Sequence, residues 1–136
     1  GGDSWLSGGW ADTSELGQGF VFDINPLQPI LSAAWYTYTA DADPDSGPAA
    51  QRWYTLQVAF ASGATSKDNI PIYDTTGGVF NNPAPVTSVQ VGTADIVFHS
   101  CSAATMSYAF TSGENAGARG TLELTRLGAV PIGCRL

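Results

Sequence analysis

The hydrophobic residues of this chain recur with a period of two in short segments, and this pattern constrains the fold more than any other feature. The segments are rich in β-branched and aromatic residues and cover 18–24, 30–39, 52–61, 69–74 followed by 77–80, 88–100, 104–112 and 119–127. Turn-forming sequences separate them: NPLQP, DADPDSGP, TTGG, NNPAP and SGENAG. The pattern predicts an all-β protein of seven to eight strands.

The links between these segments are too short for parallel crossovers, which require a dozen or more residues. The strands are therefore expected to form an antiparallel meander, closed as a small barrel or a sandwich so that its edges are protected. With 136 residues the chain has the size of one domain, which we assign to 1–136. Residues 1–17 are rich in Gly and Ser and are predicted to form a lead-in segment that carries Trp5 and Trp10.

The alternation also predicts which side chains face the core. On each strand the apolar residues fall on one parity, as a single hydrophobic core requires. The predicted core residues are Phe20, Phe22, Ile24, Tyr54, Leu56, Val58, Phe60, Ile96, Phe98, Met106, Tyr108, Phe110, Leu122 and Leu124.

Cys101 and Cys134 are the only cysteines, and the chain has a single histidine, His99. Neither cysteine belongs to a C-x-x-C motif, so a disulfide is favoured over a zinc site. In the chain-entropy model, closing this loop contributes about 3–4 kcal/mol to stability. A disulfide indicates an oxidising compartment, so a secreted, cell-surface or periplasmic location is expected. Two free thiols in a cytosolic protein are the alternative.

The net charge of −7 arises from twelve acidic residues against five Lys and Arg. No basic stripe is present to contact a phosphate backbone, so nucleic acid is not an expected partner. No apolar run approaches the roughly 20 residues of a membrane-spanning helix, so membrane insertion is not expected either.

Four motifs follow one another along the chain: G-x-G-F at 17–20, A-W-Y-T-Y at 34–38, R-W-Y at 52–54 and V-G-T-A-D-I-V-F-H-S-C at 91–101. Together they resemble a domain found in secreted or surface proteins of proteobacteria. The resemblance extends from about Gly8 to Cys134 and implies an extracellular bacterial location and a β-architecture, but no activity. The turn between the two W-Y motifs is longer and more acidic here than in that domain. The tight G-x-G-F and the number of strands are also similar in general architecture to small eight-stranded barrels of the streptavidin type.

That acidic turn contains Asp41, Asp43 and Asp45, and oxygen ligands at alternate positions are typical of calcium loops. The match is incomplete, because Pro44 lies in the middle and Arg52 occupies the position that should supply a bidentate carboxylate. A hairpin turn without metal is therefore favoured. We expect no cofactor, with calcium as the alternative.

The tryptophans and their neighbours give the strongest functional signal. A hairpin centred on Pro44 would place Trp35 directly opposite Trp53, on a face with small and polar residues. Such rings, with nearby polar groups, are typical of a platform for a sugar, a small aromatic ligand or a protein partner. The candidate ligand-binding residues are Trp10, Asp23, Trp35, Trp53, Thr55 and Gln57. Alternatively, these rings only pack the barrel.

Catalytic motifs are weak by comparison. A nucleophile and an imidazole are close in sequence only at His99-Ser100-Cys101. Neighbouring residues on a strand point to opposite faces, and Cys101 is assigned to the disulfide. Asp23 and Glu123 would form a glycosidase-like pair only if the fold brought them together. We therefore expect a non-catalytic binding or adhesion module at the cell exterior. A self-associating subunit of a surface layer or filament and a small secreted hydrolase are the alternatives.

Overall fold

The computed structural model describes residues 5–12, 18–25, 27–38, 51–76 and 87–136. Within these ranges the chain forms eight β-strands: β1 (Gly8–Ala11), β2 (Gly19–Asn25), β3 (Ile30–Tyr38), β4 (Gln51–Ala59), β5 (Ser66–Thr76), β6 (Thr87–Phe98), β7 (Ala103–Phe110) and β8 (Arg119–Arg126). The described residues include no helix long and apolar enough to cross a membrane.

The eight strands form a closed antiparallel barrel in which each strand pairs with the next along the chain. The barrel closes where β1 pairs with β8, through Trp10 with Arg126 and Ala11 with Thr125. The all-β antiparallel meander predicted from the sequence is confirmed. Of the two predicted arrangements, barrel and sandwich, the structure shows the barrel. Strand β1 lies inside the predicted lead-in segment and was missed, because the four residues of GGWA carry little strand signal.

The core predicted from alternation is confirmed. Every residue in that set is either buried in the barrel interior or partly buried and in contact with the buried residues. Aromatic rings fill much of this interior, with centroid separations from 5.1 Å for Phe20 and Trp35 to 6.3 Å for Trp10 and Phe22. An eight-stranded barrel has an interior just wide enough for side chains to fill. The interior described here is accordingly packed with side chains.

One end of the barrel is held closed by Arg126 and a disulfide, and we call it the stapled end. The Arg126 guanidinium donates to the backbone oxygens of Cys101 (2.6 Å), Ser7 (2.9 Å) and Trp5, and it lies 4.8 Å from the centroid of the Trp10 ring. The predicted disulfide between Cys101 and Cys134 is present, with an S–S distance of 2.07 Å. The N-terminal segment, the β6–β7 turn and the C-terminal tail are thereby joined.

The opposite end, which we call the loop end, contains the β7–β8 turn at 111–118 and a layer of polar side chains above the aromatic core. Asn115 is buried and its Nδ2 donates to the Tyr54 hydroxyl at 2.8 Å. The Thr37 hydroxyl donates to Gln18 Oε1 at 3.1 Å, and Arg52 forms an ion pair with Glu114. The two ends of the barrel therefore differ in chemistry.

Candidate functional site

The outer surface of β2, β3 and β4 brings three of the predicted site residues together. Strand register aligns Asp23 with Ser32 and Ser32 with Gln57, so these side chains form one row across the sheet. The next row contains Thr55, which pairs with Ala34 on one side and Tyr73 on the other. Rows on the same face lie about 7 Å apart, because side chains two residues along a strand share a face.

The predicted pairing of the two tryptophans is wrong. Trp35 pairs with Tyr54, and Trp53 pairs with Tyr36. A shift of one residue in register moves a side chain to the opposite face of a sheet. Trp35 therefore lies inside the barrel with 2% of its surface exposed, whereas Trp53 lies outside with 60% exposed.

Trp10 is also a core residue and not part of the outer surface. It is fully buried, and its indole Nε1 donates to the Leu6 backbone oxygen at 3.0 Å. Its ring contacts Phe22 and Phe98 edge to face at the stapled end. Of the six predicted ligand-binding residues, Trp10 and Trp35 are thus separated by the barrel wall from Asp23, Trp53, Thr55 and Gln57.

The exposed aromatic feature of this surface is a stacked pair, Tyr36 and Trp53, which we call the aromatic wall. The two ring centroids are 5.5 Å apart and the planes differ by 14°. Tyr36 is 44% exposed, so both rings present area to solvent. Their direct pairing on adjacent strands, each at an outward position, fixes this arrangement.

Beside the aromatic wall runs an outer groove of about 1000 Å³. Small residues, Ser32 and Ala34, form its floor, and Val21 contributes an exposed apolar side. The residues lining it include Val21, Asp23, Ser32, Ala34, Tyr36, Thr55, Gln57, Tyr73 and Ser88. The groove thus contains the three polar residues predicted from the sequence.

Tyr36, Ser32, Ala34 and Tyr73 were not identified as site residues from the sequence. Tyr36 immediately follows Trp35, and the alternation in AAWYTY shows only that these two rings face opposite sides. With the correct register, the exposed partner of Trp53 would have been evident as Tyr36. Tyr73 joins the groove through pairing between β4 and β5, and no local sequence signal indicates that contact.

Tyr36 also borders a second recess, the rim pocket, at the loop end of the barrel. This pocket has a volume of about 500 Å³ and is lined by Tyr36, Thr37, Gln51, Arg52 and Trp53. The hydrogen bond from Arg52 to Glu114 raises the pKa of the guanidinium, so the arginine stays charged and paired. Tyr36 therefore lines both recesses, whereas Trp53 lines the rim pocket.

Asp41, Asp43 and Asp45, the candidate ligands of the calcium alternative, lie outside the described residues. Among the residues that are described, no group of three or more His, Cys, Asp or Glu side chains is placed to hold a metal ion.

Of the residues considered for catalysis, Asp23 lies on one surface of the barrel, and Glu123 and His99 lie together on another. Asp23 lines the outer groove, whereas Glu123 Oε2 accepts a hydrogen bond from the Thr105 hydroxyl at 2.8 Å on the β7–β8 face. His99 Nε2 is 2.7 Å from the same hydroxyl. Because that hydroxyl donates its proton to Glu123, the His99 nitrogen is the donor to Thr105. Glu123 and His99 are thus linked to each other through Thr105.

Fold and site together define a closed eight-stranded β-barrel with an aromatic groove on its outer wall. Comparisons with known protein families, with curated proteins and with solved structures find no match to this chain. The function is therefore argued from the groove and the residues that line it.

Proposed function

We propose that this protein is an extracellular, non-catalytic binding module that recognises a neutral carbohydrate in its outer groove. The observation that carries the proposal is the aromatic wall, two stacked and exposed rings of which Tyr36 lines the groove of about 1000 Å³ and Trp53 lines the rim pocket. The disulfide is compatible with an extracellular, oxidising location.

The aromatic wall supplies an apolar surface of the kind that the C–H face of a sugar ring can cover. Trp and Tyr combine a large apolar face with a polar edge, so they suit ligands that are apolar on one side and hydroxylated on the other. Trp53 has 60% of its surface exposed and so offers this face directly. Small side chains at Ser32 and Ala34 leave space for a sugar ring in the groove that Tyr36 lines.

The polar residues of the groove can satisfy sugar hydroxyl groups. The Asp23 carboxylate accepts hydrogen bonds, while the Gln57 amide and the Ser32 and Thr55 hydroxyls both donate and accept. They occupy two successive rows, about 7 Å apart along the strands. This spacing favours a ligand with more than one ring.

The charge of the groove favours a neutral ligand. Asp23 is its acidic residue, and the described residues that line it include no Lys or Arg. The chain as a whole carries a net charge of −7. An anionic sugar would therefore meet repulsion and no counter-charge within this lining.

Trp53→Ala should weaken carbohydrate binding. Loss of the stacking surface is expected to cost about 2 kcal/mol, which corresponds to a roughly thirty-fold higher Kd. The ligand would be found by screening neutral oligosaccharides through tryptophan fluorescence, and the affinities of the variants would be compared by calorimetry. Calorimetry is required because the substitution removes the exposed fluorophore.

Ile132→Ala is the matched control, since Ile132 is a fully exposed apolar residue of the C-terminal tail. It should bind like the wild type. Equal Kd values for Trp53→Ala and the wild type would contradict the proposed site. The structural-subunit alternative predicts a different result. No oligosaccharide of the panel would bind, and ultracentrifugation would show assembly that increases with protein concentration. The contact surface would then be the exposed Val21, Tyr36 and Trp53.

A further inference from the structure

The outward side chains of β4 connect the outer groove to the rim pocket. Alternate positions of a strand share one face, so Gln51, Trp53, Thr55 and Gln57 form one exposed series along the outside of the barrel. Gln51 and Trp53 line the rim pocket, whereas Thr55 and Gln57 line the outer groove. The two recesses therefore follow each other along a single strand, and about 7 Å separates Trp53 from Thr55.

Tyr36 connects the two recesses a second time, from the neighbouring strand β3. It lines both of them, and its ring stacks on the Trp53 ring with the centroids 5.5 Å apart. Trp53 pairs with Tyr36 in the β3–β4 register, so the two rings lie side by side on the outer surface. The aromatic wall therefore continues from the groove into the rim pocket.

The rim pocket offers the same chemistry as the groove. Trp53 contributes an exposed ring, and Gln51 contributes an exposed amide that can both donate and accept hydrogen bonds. The charge of Arg52 is compensated by Glu114, which accepts from the guanidinium Nη2 at 3.3 Å. A neutral hydroxylated ring thus meets apolar area and hydrogen-bonding groups there, beside an ion pair and not an isolated charge.

We propose that the rim pocket is a second subsite of the carbohydrate site, and that the ligand is an extended neutral oligosaccharide lying along β4 from Gln57 to Gln51. These residues are six positions apart, which corresponds to about 20 Å of strand. A sugar ring with its linkage is no longer than the interval of about 7 Å between successive outward side chains, so three or more linked rings are needed to reach both ends. This inference rests on the proposed function and adds the length and the path of the ligand.

Gln51 and Gln57 provide a matched pair for the test, because they are the same residue type at exposed positions of one strand, one in each recess. Each is replaced by Ala, and calorimetry gives the Kd for cello-, malto- and N-acetylated chito-oligosaccharides from the disaccharide to the hexasaccharide. In a series that binds, the affinity of the wild type should increase with chain length until both recesses are occupied. Both variants should keep the wild-type Tm, since the replaced side chains are exposed.

The two variants should differ in their dependence on chain length. Gln57→Ala should raise the Kd at every length, whereas Gln51→Ala should raise it only for the longer oligomers. The expected increase is roughly five-fold, which corresponds to the loss of one hydrogen bond.

Two results would overturn the inference while leaving the proposed function in place. One is equal affinity of the wild type for the disaccharide and the hexasaccharide. The other is a hexasaccharide Kd that Gln51→Ala leaves unchanged although Gln57→Ala raises it. Absence of binding in all three series would instead contradict the proposed function and this inference together, so the two failures are distinguishable.

Discussion

Burial and hydrogen bonding have opposite effects on the pKa of the Tyr54 hydroxyl. It is 3% exposed, and its oxygen accepts from Asn115 Nδ2 at 2.8 Å. Burial raises the pKa of Tyr54, and the negative charges of Glu114 and Asp74 raise it further, whereas the Asn115 hydrogen bond and the Arg52 charge oppose them. The folded protein therefore favours the neutral phenol.

Stability should decrease at alkaline pH through this residue. The pKa of Tyr54 is higher in the folded than in the unfolded chain, where it is about 10. Its contribution is thus fully present below about pH 10 and is lost as the pH rises through the folded pKa. The free energy of unfolding, measured in urea from pH 7 upward, should fall above about pH 10, and less steeply in Tyr54→Phe.

At neutral pH, Tyr54→Phe should cost about 1 kcal/mol, because the hydrogen bond from Asn115 is lost. Tyr36→Phe, which removes a phenol hydroxyl from the outer wall, is the control. Identical alkaline slopes for Tyr54→Phe and the wild type would show that Tyr54 does not cause the decrease.

Arg126 connects separate segments of the chain at the stapled end. It donates to three backbone oxygens contributed by the N-terminal segment and the β6–β7 turn. Burial lowers the pKa of Arg126, but an arginine remains charged, so each hydrogen bond is charge-assisted. Arg126→Ala should reduce the free energy of unfolding by about 3 kcal/mol in urea titrations.

Arg126→Lys keeps the charge but lacks the planar fork, so it should recover only a minor part of this loss. Arg119→Ala, at an exposed position of the same strand, is the control and should be nearly neutral. Wild-type stability in Arg126→Lys would show that the charge alone suffices.

At the scale of the elements, β6 depends on a close approach of two backbones at Gly92. A Cβ atom at this position would lie 2.3 Å from the Ala109 backbone oxygen and 3.0 Å from the Phe110 Cα. Neither atom can rotate away as a flexible side chain would. The position also adjoins the register shift between Ile72 and Tyr73 in the β5–β6 pairing.

Gly92→Ala should therefore destabilise the barrel, by about 2–3 kcal/mol, because β6 and β7 must separate locally. Gly128→Ala is the matched control, since no atom lies within 4 Å of the added Cβ. Thermal unfolding followed by circular dichroism gives the comparison. Equal Tm values for the two variants would mean that β6 accommodates the methyl group without strain.

Alternation within strands predicted the core correctly, whereas pairing between strands was predicted less well. Parity is a local property, so Phe20, Leu56 and Met106 were assigned to the interior from their own segments. Register between β3 and β4 depends on the whole segment that connects them. Assuming a hairpin centre at Pro44 displaced the pairing of Trp35 by one residue and placed it on the wrong face.

For the candidate site too, the sequence predicted which side chains face outward but not how they assemble. Asp23, Thr55 and Gln57 occupy outward positions on their strands, and parity alone identifies them. Their assembly into one groove, and the contribution of Tyr36, required the register that the structure provides. Trp35 was assigned to a polar face because Ala33 and Thr37 share its parity, although small neighbours are what a large ring needs inside a narrow barrel.

At the scale of the whole molecule, the disulfide and the strand pairing secure the same end of the barrel. Removing Cys101–Cys134, as the double variant Cys101→Ser with Cys134→Ser, should lower the free energy of unfolding by about 3–4 kcal/mol. The barrel should persist, because Arg126 and the β1–β8 pairing remain. Urea unfolding gives the energy, and far-ultraviolet circular dichroism gives the fold.

Wild-type protein in a non-thiol buffer is the reference for the double variant, and the wild type with reductant should match the variant. Loss of the β-sheet spectrum in the double variant under native conditions would show that the strands alone do not maintain the barrel.

The stapled end has a mechanical consequence. The disulfide joins two residues separated by 33 positions, so tension applied to the two ends of an oxidised chain passes directly from Cys101 to Cys134. Strands β7 and β8 lie between them and stay out of the load path. Full extension is consequently shorter by roughly 110 Å than in the reduced chain, at about 3.4 Å per residue. When the oxidised chain is pulled from its two ends, β7 and β8 are therefore not extended, and the strands before Cys101 bear the force.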